Sequence, residues 1–245
     1  MKVLYDCTVC GRMRVAGLMS GSGSNVRKIL EQQKELKDEW YRVVVIFSDR
    51  FDSNAAKIGK EYDLPVVVRD IQGFYKARGK KRSDFSIRPD FDREVVKVLK
   101  TYDVEVAAYG GYMSVASSVL VNAFIGVNVH PADLSIEREG NRVYVGSHAV
   151  RDAMNAGEKY LRSTTHLVNS QLDGGPILMV SKPLEVITGK TSDEMQVKLK
   201  EEGDWVIFPK TLEFIAQGRY AMENGLLYFD GKPIPKGVRW DEFNE

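Results

Sequence analysis

The sequence lacks the features that define several large classes of protein. Only two cysteines occur among 245 residues, which excludes a domain built on disulfides. Lysine and arginine (35) nearly balance aspartate and glutamate (34), so the net charge of +1 predicts no bulk attraction to nucleic acid or to an anionic membrane. No apolar run approaches the roughly 20 residues that span a bilayer, and the start MKVLYDCTVCGRMRV lacks the apolar core of a signal peptide. We therefore expect a soluble, cytoplasmic protein.

Strand-like and helix-like segments alternate along the first half of the chain. Met13–Met19 and Arg42–Phe47 are nearly continuous apolar runs, which is typical of strands covered on both faces, and Asp92–Tyr102 has helical spacing. The same criteria predict helices at Ser53–Tyr62 and Val115–Phe124 and strands at Pro65–Val68, Val104–Tyr109 and Ile125–Val129. This alternation predicts an α/β fold with a mainly parallel, Rossmann-like sheet flanked by helices.

The second half of the chain has a different pattern. Arg162–Asn169 and Pro176–Val186 read as an antiparallel strand pair, and Asp193–Gln217 as a long helix broken or kinked at Pro209. Two long loops are expected, at Arg69–Arg88 and Ser135–Gly146. The first contains a basic cluster that is either a solvated, flexible segment or a contact for a phosphate or polyanion; its members are Lys76, Arg78, Lys80, Lys81 and Arg82.

Asn128 and His130 form the sharpest local feature. They lie two residues apart at the end of a predicted strand, so both side chains project from one face of the sheet. An amide and an imidazole side by side can both donate hydrogen bonds to a developing oxyanion. A strand-end histidine also serves as a plain capping or packing group. Asp173, before two glycines, reads as a turn former; if it contacted His130, it would raise the pKa of that histidine.

Two further motifs suggest binding. The loop Ser20–Asn25 exposes the amides of Gly21 and Gly23 before a helix N-terminus, which suits a phosphate, although strand, glycine loop and helix also occur as plain architecture. Cys7 and Cys10 have the spacing of half a zinc site without a second pair. Two reduced thiols are expected there, with a zinc ion shared between two chains as the alternative.

Three segments in this order resemble the folate-dependent formyltransferases: Gly21–Asn25, Asn128–Pro131 and Leu172–Leu178. The resemblance runs from about Met13 to Arg219. It implies one catalytic domain at 13–220, with extensions at 1–12 and 221–245. It also implies transfer of a formyl group from 10-formyltetrahydrofolate, as co-substrate, to the amine of 5-phosphoribosylglycinamide in purine biosynthesis. No metal is expected. The expected partners are a small ribonucleotide and a folate, with no nucleic acid and no membrane, for a monomer or homodimer.

The resemblance also assigns roles to individual positions. It makes Asn128, His130 and Asp173 the catalytic residues, with His130 held charged by Asp173. It assigns binding of the substrate phosphate to Gly23, Ser24 and Asn25, and binding of the substrate amine to Asp204. The implied folate-binding residues are Arg88, Met113, Ser114, Val115, Ala116, Asn128, Asn169 and Leu172.

Several positions depart from the family pattern. The segment Met113–Ala116 usually reads Met-Arg-Ile-Leu, so Ser114 and Ala116 replace larger side chains. Asp204 replaces a glutamate, and the loop after His130 is longer than is typical. Alternatives are a formyltransferase acting on an amino sugar or another amine, a formyltetrahydrofolate hydrolase, and a non-catalytic folate- or nucleotide-binding protein. A methionyl-tRNA formyltransferase is disfavoured because the chain has little room for an RNA-binding domain.

Overall fold

The computed structural model describes residues 1–37 and 39–243. Its strands are β1 (Lys2–Val3), β2 (Met13–Met19), β3 (Tyr41–Ser48), β4 (Val66–Val68), β5 (Val106–Tyr109), β6 (Ile125–His130), β7 (Glu137–Arg138), β8 (Asn141–Arg142), β9 (Tyr160–Leu161), β10 (Thr164–Leu167), β11 (Ile177–Val180), β12 (Leu184–Glu185), β13 (Tyr220–Glu223), β14 (Leu226–Phe229), β15 (Lys232–Pro233) and β16 (Val238–Arg239). Its α-helices are α1 (Cys7–Cys10), α2 (Ser24–Glu35), α3 (Ala55–Tyr62), α4 (Ile71–Ala77), α5 (Arg88–Lys100), α6 (Ser118–Val121), α7 (Ala149–Asn155), α8 (Ser192–Leu199) and α9 (Trp205–Ala216).

The chain divides into two compact units, one formed by Arg12–Val127 and the other by Met1–Gly11 with Asn128–Glu245. The first unit contains parallel strands in the order β5-β2-β3-β4. All of β2 except Arg14 is buried, as its nearly continuous apolar sequence predicts. Helix α2 buries Val26, Ile29 and Leu30, which share one face at helical spacing.

The second unit contains strands in the order β16-β11-β10, followed by the end of β6 from Asn128 onward. Strands β10 and β11 are antiparallel, with Thr164 opposite Val180, and β16 lies parallel to β11. A separate antiparallel sheet has the order β1-β13-β14-β15. Residues from Tyr220 onward therefore supply strands to both of these sheets.

The α/β class, the mainly parallel sheet and the antiparallel pair are confirmed, whereas the local predictions for two segments of the first unit were wrong. Arg69–Arg88 is not one long loop, because it contains α4 and a 3-10 turn at Phe85–Ile87. Helix α4 forms because Ile71, Phe74 and Tyr75 recur at helical spacing and are buried. The charged residues that follow at 76–82 obscured this apolar spacing in the sequence. Within Val115–Phe124, only α6 is an α-helix.

The long C-terminal helical segment is present, but its irregularity lies elsewhere than predicted. Pro209 lies inside α9, which continues through it. The interruption between α8 and α9 is a π-helical turn at Lys200–Asp204. Such turns often mark functional positions, and this one ends at a residue that the resemblance places near the substrate amine. In the part of the chain described, no helix has the length and hydropathy needed to cross a membrane.

Candidate active site

The second unit brings Asn128, His130 and Asp173 together with a further histidine, His166. His130 Nδ1 lies 3.4 Å from Asp173 Oδ2, and His166 Nε2 lies 3.5 Å from Asp173 Oδ1. Asn128 Nδ2 lies 3.1 Å from His166 Nε2, and His166 Nδ1 lies 2.9 Å from the carbonyl oxygen of Leu167. The four side chains form one connected cluster, in which three are buried and Asn128 is half-buried.

His166 was missed by the sequence analysis. If Nδ1 donates to the Leu167 carbonyl, then Nε2 is an acceptor, and Asn128 Nδ2 donates to it. This bond orients the Asn128 amide so that its nitrogen, not its oxygen, faces His166. The second N–H of the same nitrogen can then donate to another acceptor. The signal in the sequence was a rare histidine in a predicted strand, shortly before the Asp173 turn.

The loop predicted at Ser135–Gly146 folds partly as the β7–β8 hairpin, and its far end contacts the cluster. The carbonyl oxygen of Tyr144 lies 2.8 Å from His130 Nε2, and the Gly146 N–H donates to Asp173 Oδ2 over 2.8 Å. The Arg142 guanidinium donates to the carbonyl oxygen of Asp173. Both ring nitrogens of His130 therefore face acceptor oxygens, and a neutral ring with its single N–H can donate to only one of them.

Asp173 has a backbone φ of +50°, in the left-handed region. Aspartate and asparagine tolerate this conformation better than most residues do. The turn that was predicted from the Asp173-Gly174-Gly175 sequence is therefore real. It also places the carboxylate against His130, so the turn and the catalytic interpretations of Asp173 are compatible.

The charges of His130 and Asp173 differ from the prediction at one point. Burial lowers the pKa of His130, and this outweighs the opposing effects of the Asp173 charge and the bond to Tyr144. The expectation that Asp173 holds His130 charged was therefore wrong, because desolvation disfavours the cation more than one carboxylate favours it. Burial alone would raise the pKa of Asp173, but the neighbouring rings of His166 and His130 and the Gly146 amide lower it to about 2. Near neutral pH the cluster contains an ionised Asp173 and a neutral His130.

These shifts predict acid-dependent destabilisation. Below pH 6.5 the unfolded chain protonates the His130 position while the folded chain resists, so the free energy of unfolding falls as pH decreases. One such group contributes at most about 1.4 kcal/mol per pH unit. Chemical unfolding between neutral and mildly acidic pH should show this slope, and His130→Gln should reduce it. His148→Gln, which removes an exposed histidine, is the matched control. An unchanged slope in His130→Gln would contradict the assignment.

The glycine loop belongs to the other unit and precedes α2. Gly23 is the N-cap residue with φ +70°, and a Cβ there would lie 2.5 Å from Ile58 Cδ1 and 2.6 Å from Met19 Cε. A Cβ at Gly21 would meet nothing within 4 Å. The positive φ and the close packing thus require a glycine at position 23, whereas a side chain at position 21 would have room. Ser24 begins α2, so the loop presents a helix N-terminus as predicted.

The residues implied in folate binding lie in different surroundings. Arg88 and Ser114 are buried, with 3% and 5% exposure, whereas Met113 and Val115 are exposed. These belong to the first unit. Leu172, in the second, is exposed; the side-chain oxygen of nearby Asn169 accepts from the Gln171 N–H. Ala116 is half-buried.

Asp204 ends the π-helical turn and is only 3% exposed. Ser163 Oγ donates to its carboxylate over 2.6 Å. Gly203 beside it is required by close packing, since a Cβ there would lie 2.5 Å from the same hydroxyl. Contact between Asp204 and a substrate amine stays a prediction.

Cys7 and Cys10 lie on the short helix α1 as thiols, not joined in a disulfide. Among the residues described, no group of three or more histidine, cysteine, aspartate or glutamate side chains is arranged to hold a metal ion.

A family model described as "Formyl transferase" matches residues 13–212. The phosphoribosylglycinamide formyltransferase of Escherichia coli (strain K12) is 28% identical over 233 residues, covering 94% of this chain and 100% of that protein. The crystal structure of glycinamide ribonucleotide transformylase 1 from Symbiobacterium toebii is similar with a TM-score of 0.75 and 26% identity, covering 89% of this chain and 94% of that one. The phosphoribosylglycinamide formyltransferase of Coxiella burnetii has the same fold, with a TM-score of 0.78, 22% identity, and coverage of 93% and 99%.

Proposed function

The chain belongs to the formyl transferase family, and on this premise we propose that it transfers a formyl group from 10-formyltetrahydrofolate to the amine of 5-phosphoribosylglycinamide in purine biosynthesis. The observation that carries the proposal is the cluster of Asn128, His130 and Asp173, which combines two N–H donors with a buried carboxylate. The names of the relatives support formyl transfer to the same acceptor. The match at 13–212 supports a catalytic domain of 13–220 with extensions at 1–12 and 221–245.

The reaction begins when the neutral acceptor amine attacks the formyl carbon, forming a C–N bond and a tetrahedral oxyanion. The free N–H of Asn128 and an N–H of His130 donate to this oxygen. His130 Nε2 first exchanges the Tyr144 carbonyl, 2.8 Å away, for the oxyanion. A neutral imidazole suffices, because one N–H is the donor that the step requires.

The oxyanion then collapses, and the bond between the formyl carbon and N10 of the folate breaks. The proton lost by the amine goes to N10, so that the products are the formamide and tetrahydrofolate. With a pKa of about 2, Asp173 is too weak a base to hold this proton near neutral pH. We assign the relay to a water beside Asp173, with the carboxylate orienting it.

A panel of amines tests the proposal. The purified protein with 10-formyltetrahydrofolate should formylate 5-phosphoribosylglycinamide much faster than glycinamide, an amino sugar or water. Faster release of formate would favour the hydrolase, and faster formylation of an amino sugar would favour that alternative. Folate binding without turnover would favour a non-catalytic protein.

The glycine loop supplies a sharper test of the acceptor phosphate. Gly21→Val should raise the KM for 5-phosphoribosylglycinamide by about tenfold, corresponding to about 1.4 kcal/mol, because the new side chain crowds an anion at the helix N-terminus. The unfolding midpoint should hardly change, since the position has open space. Gly23→Val is a poor probe, because its clash with Ile58 and Met19 destabilises the fold. An unchanged KM in Gly21→Val would remove the phosphate from this loop.

The proposal includes a cytoplasmic location and a monomeric or homodimeric state. The thiol state of Cys7 and Cys10, which are not joined in a disulfide, supports a reducing compartment. Sedimentation of the purified protein distinguishes monomer from dimer.

A further inference from the structure

The last strand of the second unit contacts residues 131–135, the loop that directly follows His130 (the His130 loop). Strand β16 is parallel to β11, and Arg239 pairs in register with Val180. On the other side of β11, Val180 lies opposite Thr164 of β10. Arg239 and Thr164 therefore lie at the same level of the sheet, on either side of one strand.

Thr164 holds the backbone of the His130 loop. Its hydroxyl donates to the carbonyl oxygen of Ala132 over 2.7 Å and accepts from the Leu134 N–H over 3.1 Å. Ala132 and Leu134 are both buried, whereas Asp133 between them is half-buried. The main chain of the loop is therefore fixed from inside the fold, and the Asp133 side chain is held by different partners.

One guanidinium binds both members of the turn in this loop. Asp133 Oδ1 accepts from the N–H and the hydroxyl of Ser135, over 2.9 and 2.5 Å. Arg239 Nη1 donates to Asp133 Oδ2 over 3.0 Å, and Arg239 Nη2 donates to Ser135 Oγ over 2.8 Å. Because the donors of a guanidinium form a rigid fork, two such bonds define an orientation as well as a distance. Arg239 thus joins the His130 loop to the last strand.

A second arginine extends this ion pair into a network. Arg162 Nη1 and Nη2 donate to the two carboxylate oxygens of Asp241, over 2.9 and 3.0 Å. Arg162 Nε lies 4.0 Å from Asp133 Oδ2, and Arg162 Nη1 also donates to the Ser181 carbonyl oxygen over 2.7 Å. Isolated surface ion pairs contribute little to stability, but a network with paired donors holds a definite geometry. We therefore look for its effect on the position of the loop.

We propose that Arg239, through Asp133, is a positioning residue that fixes the ring of His130 for catalysis. The inference rests on the proposed function, since His130 is an oxyanion donor in that reaction. His130 ends β6 and lies three residues before Asp133, so a shift of the loop moves the backbone that carries the ring. The ring lies 2.8 Å from the Tyr144 carbonyl oxygen and 3.4 Å from Asp173 Oδ2, and both distances depend on that backbone.

Arg239→Gln tests this role through a split between kcat and KM. It should lower kcat by about tenfold, a part of the ~10²-fold that a displacement of about 1 Å can cost. The KM values for 5-phosphoribosylglycinamide and 10-formyltetrahydrofolate should change by less than about twofold, because the change acts on the catalytic ring and not on substrate binding. Arg239→Lys keeps the charge but loses the fork, so its kcat should lie between those of the wild-type protein and Arg239→Gln.

Asp133→Asn removes the same ion pair from its other side. It should lower kcat by a similar factor, and the double variant Arg239→Gln/Asp133→Asn should be no slower than the slower single variant, because both changes break one interaction. Rate losses that multiply in the double variant would contradict a role of Arg239 through Asp133.

Arg219→Gln is the matched control. Arg219 forms the same kind of paired contact with an aspartate, since its Nε lies 3.0 Å from Asp230 Oδ1 and its Nη2 lies 2.6 Å from Asp230 Oδ2. This pair flanks strands β13 and β14, away from the sheet that contains β6. Arg219→Gln should keep kcat at a temperature where all variants are folded. Equal losses of kcat in Arg219→Gln and Arg239→Gln would overturn the positioning role.

The histidine rings give a readout that needs no turnover. The chain has three histidines, so the NMR signals of their rings can be assigned by replacing each one with glutamine. Arg239→Gln should shift the ring signals of His130 and leave those of the exposed His148 in place. Unmoved His130 signals would overturn the inference and leave formyl transfer intact. If the wild-type protein transfers no formyl group, the proposed function fails, and the ring signals alone decide whether Arg239 positions His130.

Discussion

His130→Ala and Asp173→Asn are each expected to lower kcat by ~10²–10³, the range found when one oxyanion donor is removed. His130→Ala removes the donor itself. Asp173→Asn keeps a residue that tolerates the φ of +50° but loses the charge facing His130 Nδ1 and His166 Nε2. Because these groups act as one unit, the double variant should be little slower than either single variant. Steady-state kinetics with 5-phosphoribosylglycinamide measures all three.

The interpretation requires that the variants remain folded. Circular dichroism and the unfolding midpoint at neutral pH check this for each protein. His148→Ala is the matched kinetic control, because it removes an exposed histidine in the same unit and should leave kcat unchanged. Near-normal turnover in His130→Ala or in Asp173→Asn, or rate losses that multiply in the double variant, would exclude the cluster from the chemistry.

The sequence predicted the fold well where burial was nearly complete. Met13–Met19 is a strand with unchanged bounds, because a run of apolar residues has few alternatives to a covered sheet. Prediction failed where polar residues interrupted the pattern. Charges at 76–82 obscured α4, although Ile71, Phe74 and Tyr75 carry its buried face. The π-helical turn at Lys200–Asp204 contains no proline. The local sequence therefore carries no signal for this irregularity, whereas Pro209 predicts a break at its own position.

The candidate site was predictable in its members but not in its electrostatics. Strand spacing alone placed Asn128 and His130 on one face, and only the resemblance linked them to Asp173. The net direction of the His130 pKa depends on how deeply the ring is buried, which no local motif reveals. The approach of the Tyr144 carbonyl to His130 depends on the course of a hairpin, and loop conformation is set by distant contacts.

Gly175 packs against the Leu167 backbone, which contacts His166 of the cluster, and Gly175→Ala is expected to lower both the stability and kcat. A Cβ at this position would lie 1.7 Å from the carbonyl oxygen of Leu167, well inside van der Waals contact. That carbonyl is the partner of His166 Nδ1 at 2.9 Å, so moving it also moves the ring that contacts Asn128. Forced insertion of a methyl group into a packed site costs about 1–3 kcal/mol, and a backbone clash favours the upper end.

Gly174→Ala provides the contrast that isolates this mechanism. The neighbouring position has the same turn and the same added methyl group, but the three atoms nearest to its Cβ all belong to the Gln171 side chain, at 2.6–2.7 Å. Gln171 is exposed, so its outer atoms can rotate away, and only its Cβ must shift with the backbone. Thermal unfolding should therefore place Gly174→Ala below the wild-type protein and Gly175→Ala, with its 1.7 Å clash against a backbone carbonyl, well below Gly174→Ala. At a temperature where both remain folded, Gly175→Ala should also lose more kcat than Gly174→Ala. Equal behaviour of the two variants would mean that the Leu167 carbonyl does not hold His166 in position.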